Sequence, residues 1–396
     1  MKIAQVICLF GKEELSSGAV NIVNDLANHL SKNHRVFIFS GTRKDKKDKL
    51  CIDEALNYSW WHFNITPYLA PNKKENYFNE LANKYFQEFL YKTSPDIIHF
   101  HALQGLGAGL IEIAIQEKIP FVVHLHDWWW FCPFLFVTSL DEKICSFSQI
   151  PLGCHCLDSN FLKNRFEYLS KILNSIDRFI AVSDFIKKTY VDMGISEYKI
   201  TICPNPIPAF KKNKAYKGSS KVRFAYFGGH SVHKGFPTLK RAFEGLTGNF
   251  RIYCYGFDGK KKFFEQFLNI FSFHKKIKYL PCYVRTDLPY ILSNIDVVIV
   301  PSLMLESFNL VVREVMSLGT PVIASKSGGP EEIIEHNKTG WLFERGNSDE
   351  LKTIMQSLIN DPDQIKQVKE NIKNIELPLI TFKEYLQKIE TIYRQR

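Results

Sequence analysis

The sequence predicts an α/β fold made of two doubly wound, parallel-sheet domains in tandem, with a cleft between them. Three observations predict it. The 396 residues are more than one compact core commonly holds, and they suit two domains of ordinary size. Short apolar runs alternate with amphipathic stretches, as strands and helices do when a parallel sheet is covered on both faces. That alternation stops at the proline-dense run Cys203-Pro204-Asn205-Pro206-Ile207-Pro208, passes a lysine-rich stretch to Lys221, and then restarts. The expected division is 1–205 for the first domain, 206–378 for the second and 379–396 for a C-terminal helix.

Each element follows from its residues. Residues 2–10 are apolar and read as a buried first strand. Over 17–32, Val20, Val23, Leu26, Ala27 and Leu30 recur on one helical face. Residues 35–40, 97–100, 121–125 and 179–183 are strands, and 78–90 and 110–116 are helices. After the linker, 224–227 is a strand leading through a glycine turn to a helix from about Pro237. Residues 251–255, 277–280, 297–300 and 322–324 are further strands. Ligands of such sheets bind at the carboxyl ends of the strands.

Composition narrows the class. Hydrophobic residues at 45% and charged residues at 23% describe a globular chain and exclude disorder. The net charge of +10 favours anionic partners, among them phosphorylated substrates and an anionic membrane surface. Clusters such as Lys44, Lys46, Lys47 and Lys49, or Lys260 to Lys262, also suit solvated loops. The apolar start breaks at Gly11-Lys12-Glu13-Glu14, too early for a signal-peptide core, and 119–138 carries His124, His126 and Asp127 in mid-span, which argues against a membrane helix. The expected location is the cytoplasm, with peripheral association at the inner face of the membrane. In that compartment the nine cysteines need not pair.

The chemistry concentrates between Val297 and Phe343. A buried strand ends at Pro301-Ser302, and Glu306-Ser307-Phe308-Asn309-Leu310-Val311-Val312-Arg313-Glu314 follows. Glu306 falls in a loop before a helix and Glu314 lies one to two turns inside it. The unpaired amides and positive dipole end between them suit a phosphate, and the carboxylates suit sugar hydroxyls. A second element, Phe227-Gly228-Gly229-His230-Ser231-Val232-His233-Lys234-Gly235, follows a strand and precedes a helix. Its glycines allow close backbone approach, and Lys234 can neutralise a diphosphate.

Glu306 to Glu314, with Gly319-Thr320-Pro321-Val322 and Gly328-Gly329-Pro330 behind it, resembles the signature of glycosyltransferase family 4, whose members have the GT-B fold. The resemblance extends over nearly the whole chain and is tightest near 295–343. It implies two Rossmann-like domains, acceptor-binding first and donor-binding second, with the C-terminal helix crossing back to the first. It implies a retaining transfer from a nucleotide diphosphate sugar, UDP-linked at the family level, and no cofactor or divalent metal for catalysis. Glu306 would bind donor-sugar hydroxyls. Ser307, Phe308, Asn309 and Leu310 would bring amides to sugar and diphosphate. Glu314 would hold the ribose, and Lys234 the diphosphate beside Gly228 and Gly229. The family carries an arginine five residues before this lysine, where this chain has Gly229; His230, His233 and Arg223 are the candidates to replace it.

In the first half, Ser16-Ser17-Gly18 stands where the family has a glycine turn facing the donor or acceptor, so Gly18 joins the donor set. In His124-Leu125-His126-Asp127-Trp128, His126 matches the family histidine that contacts the donor sugar near the reaction centre; with Glu306 and Lys234 it completes the catalytic set. His101, Asp127, Trp128 and Trp129 form the acceptor-side set. The aromatic stretch Trp128 to Phe136 suits sugar stacking, a membrane interface or a buried plug alike. Cys132, Cys145, Cys154 and Cys156, with His155, suit a structural zinc or free buried thiols. The acceptor would be a glycan or lipid-linked molecule, with surface polysaccharide assembly as the setting. The rivals are an impaired nucleotide-sugar-binding scaffold and an epimerase or phosphorylase of the same fold. A nucleic-acid partner is not expected, since the glutamate segment has no role in one.

Overall fold

A computed structural model describes residues 1–11, 18–43, 49–54, 57–138, 144–145, 154, 156–210, 221–257 and 276–395. Ser16, Ser17, Lys44, Lys46, Lys47, His155 and Lys260 to Lys262 lie outside them. The chain forms two compact units, one of Met1–Val137, Cys145–Pro206 and Ile380–Arg396, the other of Thr138–Ile144 and Ile207–Leu379. Thr138 and Ile144, assigned by sequence to the first domain, thus group with the second unit.

The first unit is built on eight strands: β1 (Lys2–Leu9), β2 (Arg35–Thr42), β3 (Cys51–Glu54), β4 (Ser59–Asn64), β5 (Ile97–Phe100), β6 (Phe121–Leu125), β7 (Phe179–Ala181) and β8 (Ile200–Ile202). Their order is β3-β4-β2-β1-β5-β6-β7-β8. All pairs are parallel except β3 with β4. Central strands are apolar on both faces because both faces are covered: Ile3, Ala4, Val6 and Ile7 of β1 are all 0% exposed. The helices are α1 (Gly18–Leu30), α2 (Glu80–Thr93), α3 (Gly109–Gln116), α4 (Ser159–Ser175) and α5 (Asp184–Asp192). Side-chain caps start three of them, Asn79 for α2, Asp158 for α4 and Ser183 for α5.

The second unit holds a six-stranded parallel sheet in the order β11-β10-β9-β12-β13-β14. Its strands are β9 (Val222–Phe227), β10 (Phe250–Tyr255), β11 (Ile277–Leu280), β12 (Val297–Val300), β13 (Val322–Ser325) and β14 (Trp341–Phe343). Around it lie α6 (Phe236–Phe243), α7 (Leu288–Leu292), α8 (Leu310–Ser317), α9 (Ser348–Asn360) and α10 (Asp363–Lys373). Strand order changes direction at β9 and β12, whose carboxyl ends lead into the two segments singled out by sequence.

The chain then returns to the first unit as α11 (Phe382–Arg394). A reciprocal cap starts it: Glu384 N–H donates to Thr381 Oγ1 and Thr381 N–H to Glu384 Oε2. Tyr385, Ile389, Ile392 and Tyr393 form its buried stripe. Sequence reading missed β3, β4, β8 and β14. β3 is an exposed edge strand without an apolar run, and β8 and β14 have three residues each, too few to show a period.

Candidate active site

In the second unit, β9 and β12 deliver two loops side by side. Leu303 and Met304 N–H both donate to the carbonyl of His233, each at 3.0 Å. Gly235 begins α6 at φ +78°, and a Cβ there would lie 1.7 Å from the carbonyl oxygen of Pro301, so only glycine lets the loops meet. The loops bring Lys234 to Glu306, Nζ to Oε1 at 3.0 Å. Ser302 Oγ donates to the same oxygen at 2.6 Å. Glu306 is 5% exposed and its backbone is clamped, its N–H to Ser327 O and its carbonyl to Gly329 N–H. Its carboxylate is thus aimed by a cation and a hydroxyl, and it retains lone pairs for other donors. His233 beside it is held neutral, since burial and the Lys234 charge lower its pKa to about 4.

Asn309 sits at φ +58° and caps α8, its side chain accepting from Val312 N–H at 3.0 Å. Leu310 opens that helix, Phe308 is buried and Ser307 is half-buried. Glu314 lies inside the helix, buried, and accepts from Arg285 Nε at 2.5 Å. Burial raises its pKa while Arg285 opposes the rise. Beside the pair, Phe227, Tyr255 and Tyr283 cluster at the strand ends, with centroids 4.9–6.0 Å apart.

Gly228 and Gly229 form the turn after β9. Gly229 takes φ +57°, and a Cβ on it would lie 2.6 Å from the carbonyl oxygen of Gly256. The turn is pinned there by Gly229 N–H donating to Tyr255 O, so the local backbone explains why a side chain is missing from this position. The suggested substitutes are placed differently. Arg223 is at the opposite end of β9, tied to Asp296 by two 3.0 Å bonds. His230 packs edge-on against Phe257, and burial lowers the pKa of its ring.

In the first unit, β5 and β6 stack four imidazoles: His99 on His101 at 3.9 Å and His124 on His126 at 4.0 Å. Their pKa values all fall, first through burial; His126 reaches about 3. Among the described residues, His99, His101 and His124 are the group of donors lying within 4.8 Å of one another. His99 Nε2 meets His124 Nδ1 at 3.2 Å, His99 Nδ1 meets the Tyr393 hydroxyl at 2.7 Å, and His101 meets Gln5 Oε1 through Nε2 and His126 through Nδ1. Cys132 is buried, which raises the pKa of its thiol, and burial, followed by the neighbouring Cys154, Cys145 and Cys132, pushes the Cys156 thiol up to about 12. None of the nine cysteines forms a disulfide.

Asp127 accepts from Trp129 N–H, and burial lifts its carboxyl to about 6. Trp128 and Trp129 are each 1% exposed, which corrects their placement on an acceptor-stacking face. They form a plug. Trp129 Nε1 donates to Asn76 Oδ1, Arg165 donates to the Trp129 carbonyl, and Trp128 lies on Tyr190. His101 is buried too, and Gly18 is the first residue of α1.

Residues 16–209 match the family described as Glycosyltransferase Family 4, and residues 209–375 match the one described as Glycosyl transferases group 1. The chain is a GT-B glycosyltransferase of family 4. It is 24% identical over 230 residues to the uncharacterised glycosyltransferase YqgM of Bacillus subtilis, covering 56% of this chain and 63% of YqgM. A Methanocaldococcus jannaschii glycosyltransferase is 25% identical over 275 residues, 67% of this chain and 66% of the relative. The chain therefore spans under two thirds of the length of these curated relatives. A sucrose-phosphate synthase from Thermosynechococcus elongatus superposes with a TM-score of 0.70 at 17% identity, over 100% of this chain and 98% of that one. Anabaena HepE in complex with UDP-glucose gives 0.66 at 18% identity over 99% of each chain. Among the described residues, no helix of this glycosyltransferase is long and apolar enough to cross a membrane.

Sequence reading of this glycosyltransferase missed Ser302, Arg285 and Arg313. Arg313, buried inside the recognised segment, donates to the carbonyls of Phe308 and Gly329 and to Glu332 Oε2, and stacks over the Phe308 ring at 3.7 Å. It binds the Glu306–Asn309 loop to the turn after β13. A lysine cannot supply that fork. Arg313→Lys should cost the second unit about 2 kcal/mol, read as a lower urea midpoint at unchanged slope.

Proposed function

We propose that this glycosyltransferase takes a UDP-linked sugar in its second unit and transfers it, with retention, to a glycan or lipid-linked acceptor held by the first. The observation that carries the reading is the Lys234–Glu306–Ser302 cluster, set at the carboxyl edge of the sheet beside the start of α8. A diphosphate drawn to Lys234 would loosen its ion pair and turn Glu306 toward sugar hydroxyls. Glu314 is assigned to the ribose, with Arg285 holding its carboxylate in place. Ser307, Phe308, Asn309 and Leu310 line the phosphate approach, beside the Gly228-Gly229 turn. His126 is assigned to the transferred sugar.

As the bond from the anomeric carbon to the phosphate oxygen breaks, its electron pair stays on the diphosphate. Lys234 and the amides opening α8 stabilise the charge that grows there. The acceptor oxygen bonds to the anomeric carbon from the same face, and its proton goes to the departing phosphate. Support comes from the solved relatives: HepE was crystallised with UDP-glucose, and the lipopolysaccharide outer core galactosyltransferase WaaB has the same fold. The +10 charge fits work at an anionic membrane face on the cytoplasmic side, in surface polysaccharide assembly.

The test is UDP release from a panel of UDP-sugars. Lys234→Ala should lower kcat/KM by about 10²–10³ for the preferred donor, the range seen when one transition-state donor is lost. Glu306→Ala should abolish discrimination among sugars, and Glu314→Ala should weaken UDP itself. Undiminished UDP-sugar binding and release in all three variants would remove the reading.

A further inference from the structure

Arg285 and Glu314 meet in the second unit in a way that treats the two carboxylate oxygens unequally. Arg285 opens the short turn Arg285–Asp287 ahead of α7, and Glu314 lies inside α8. Arg285 Nε donates to Glu314 Oε1 at 2.5 Å, and Arg285 Nη2 stands 2.5 Å from the same oxygen. A guanidinium only donates, so the direction of this contact is fixed. Among the described residues nothing donates to Glu314 Oε2. That oxygen is not sealed off either, since it is not one of the fully covered polar atoms that lack a partner.

The arrangement limits what the acid can read. A carboxylate with both oxygens open can take one hydroxyl of a vicinal pair on each. Here two nitrogens of Arg285 crowd Oε1, and Oε2 alone is left to another donor. The Glu314 side chain is 6% exposed, so the opening over Oε2 is narrow. Turning the carboxylate to bring Oε1 forward would break its contact with Arg285 and leave a buried charge uncompensated, which costs more than the pair itself is worth. Glu306 is held in the same one-sided way, with Lys234 and Ser302 both at its Oε1.

We propose that Arg285 is a positioning residue that sets ribose specificity: by taking Glu314 Oε1 it leaves Oε2 as the single oxygen offered to the donor's ribose, so that one of the two ribose hydroxyls is read and the other is not. The proposal rests on the reading of Glu314 as the ribose contact. An acid free to turn would accept from either hydroxyl, or from both. Arg285 acts here through its reach and charge more than through its fork, because both nitrogens meet one oxygen; a lysine can fill that oxygen with one. The sequence does not join the two residues, since Arg285 stands 29 positions before Glu314 and outside the segment that marks the site.

Calorimetric binding of UDP, 2′-deoxy-UDP and 3′-deoxy-UDP to the full-length protein decides it. One deoxy analogue should bind at least about tenfold more weakly than UDP, as when a hydrogen bond to a charged group is lost, and the other within about twofold of it. In Arg285→Met, which keeps the stem and removes the donors, the two analogues should come within about twofold of each other. Arg285→Lys should restore the difference. The ratio of the two analogues carries the test, because an Arg285 that only supports the fold would lower all three affinities together and leave that ratio unchanged. Should Arg285→Met not fold, Arg285→Gln repeats the test with a neutral polar side chain. Equal affinities of the two analogues for the unaltered protein, or a ratio unchanged in the Arg285 variant, would overturn the proposal. Glu314→Ala separates it from the reading beneath. UDP affinity unchanged in Glu314→Ala would dismiss Glu314 as the ribose contact and the proposal with it. Weakened UDP in Glu314→Ala beside an unchanged ratio in Arg285→Met would dismiss the role of Arg285 alone.

Discussion

Acidification should unfold the first unit between about pH 6 and pH 4. His99, His101 and His124 are buried, and burial followed by their neighbouring imidazoles lowers their pKa values well below 6.5; His126 falls to about 3. In the unfolded chain each would titrate near 6.5. As pH drops below that value the unfolded state takes up protons that the folded state refuses, so stability present above 6.5 is lost toward 3. Asp127 works the other way. Its folded pKa of about 6 exceeds the ordinary 3.8, so its contribution grows as pH falls across that window. Four imidazoles less one carboxyl leave a net three protons. At about 1.4 kcal/mol per proton and pH unit, the slope approaches ~4 kcal/mol per unit, somewhat less because His126 is only half-buried by surface. Two such units remove about 8 kcal/mol, which exceeds the stability of a domain in the lower half of the roughly 5–15 kcal/mol range. Urea titrations followed by fluorescence at pH 7.5, 6.0 and 5.0 measure it, with the buried Trp128, Trp129 and Trp130 as reporters. His124→Asn should reduce the slope by about one proton. A stability constant within about 1 kcal/mol from pH 7.5 to 5 would mean that the imidazoles are not kept neutral by the fold.

That prediction could not be made from the sequence, and the reason is physical. His99, His101, His124 and His126 are visible as alternating residues on two strands, but alternation does not say that β5 and β6 are neighbours in register. Their partners Gln5 and Tyr393 come from the two ends of the chain. The donor-side site is different. Glu306, Asn309 and Glu314 lie within nine consecutive residues, so a strand, a loop and a helix start bring them together with little help from distant contacts. The Val297–Val300 run was legible for the same reason, being apolar on both faces because it is central. Trp128 and Trp129 show the limit of residue type. An indole suits a sugar face or a core equally, and the choice was made by Asn76, Arg165 and Tyr190, all more than thirty residues away. Arg285 and Arg313 were missed because an arginine declares its role only through its partner, and for Arg313 the partners are two carbonyls and Glu332.

Gly235→Ala should be the most damaging single-methyl change in the second unit. Two costs add there. At φ +78° any side chain is strained, by roughly 1–2 kcal/mol. The added Cβ would also stand 1.7 Å from the Pro301 carbonyl oxygen, about half a van der Waals contact, and the obstacle is backbone at the end of a central strand. Relief requires parting the β9–α6 turn from the β12 loop, which breaks the bonds from Leu303 and Met304 to His233 and separates Lys234 from Glu306. The expected loss exceeds about 4 kcal/mol, among the largest a point substitution gives. Gly319 supplies the control. It has φ +80° in the same unit, but a Cβ there would meet nothing within 4 Å, so Gly319→Ala isolates the backbone strain. The melting temperature of the second unit should fall by more than about 8 °C in Gly235→Ala and by about 2–4 °C in Gly319→Ala. Equal shifts would mean that the two loops slide apart at little cost. In that case the Lys234–Glu306 pair is held by its own charges, and raising the ionic strength alone should weaken donor binding as much as Gly235→Ala does.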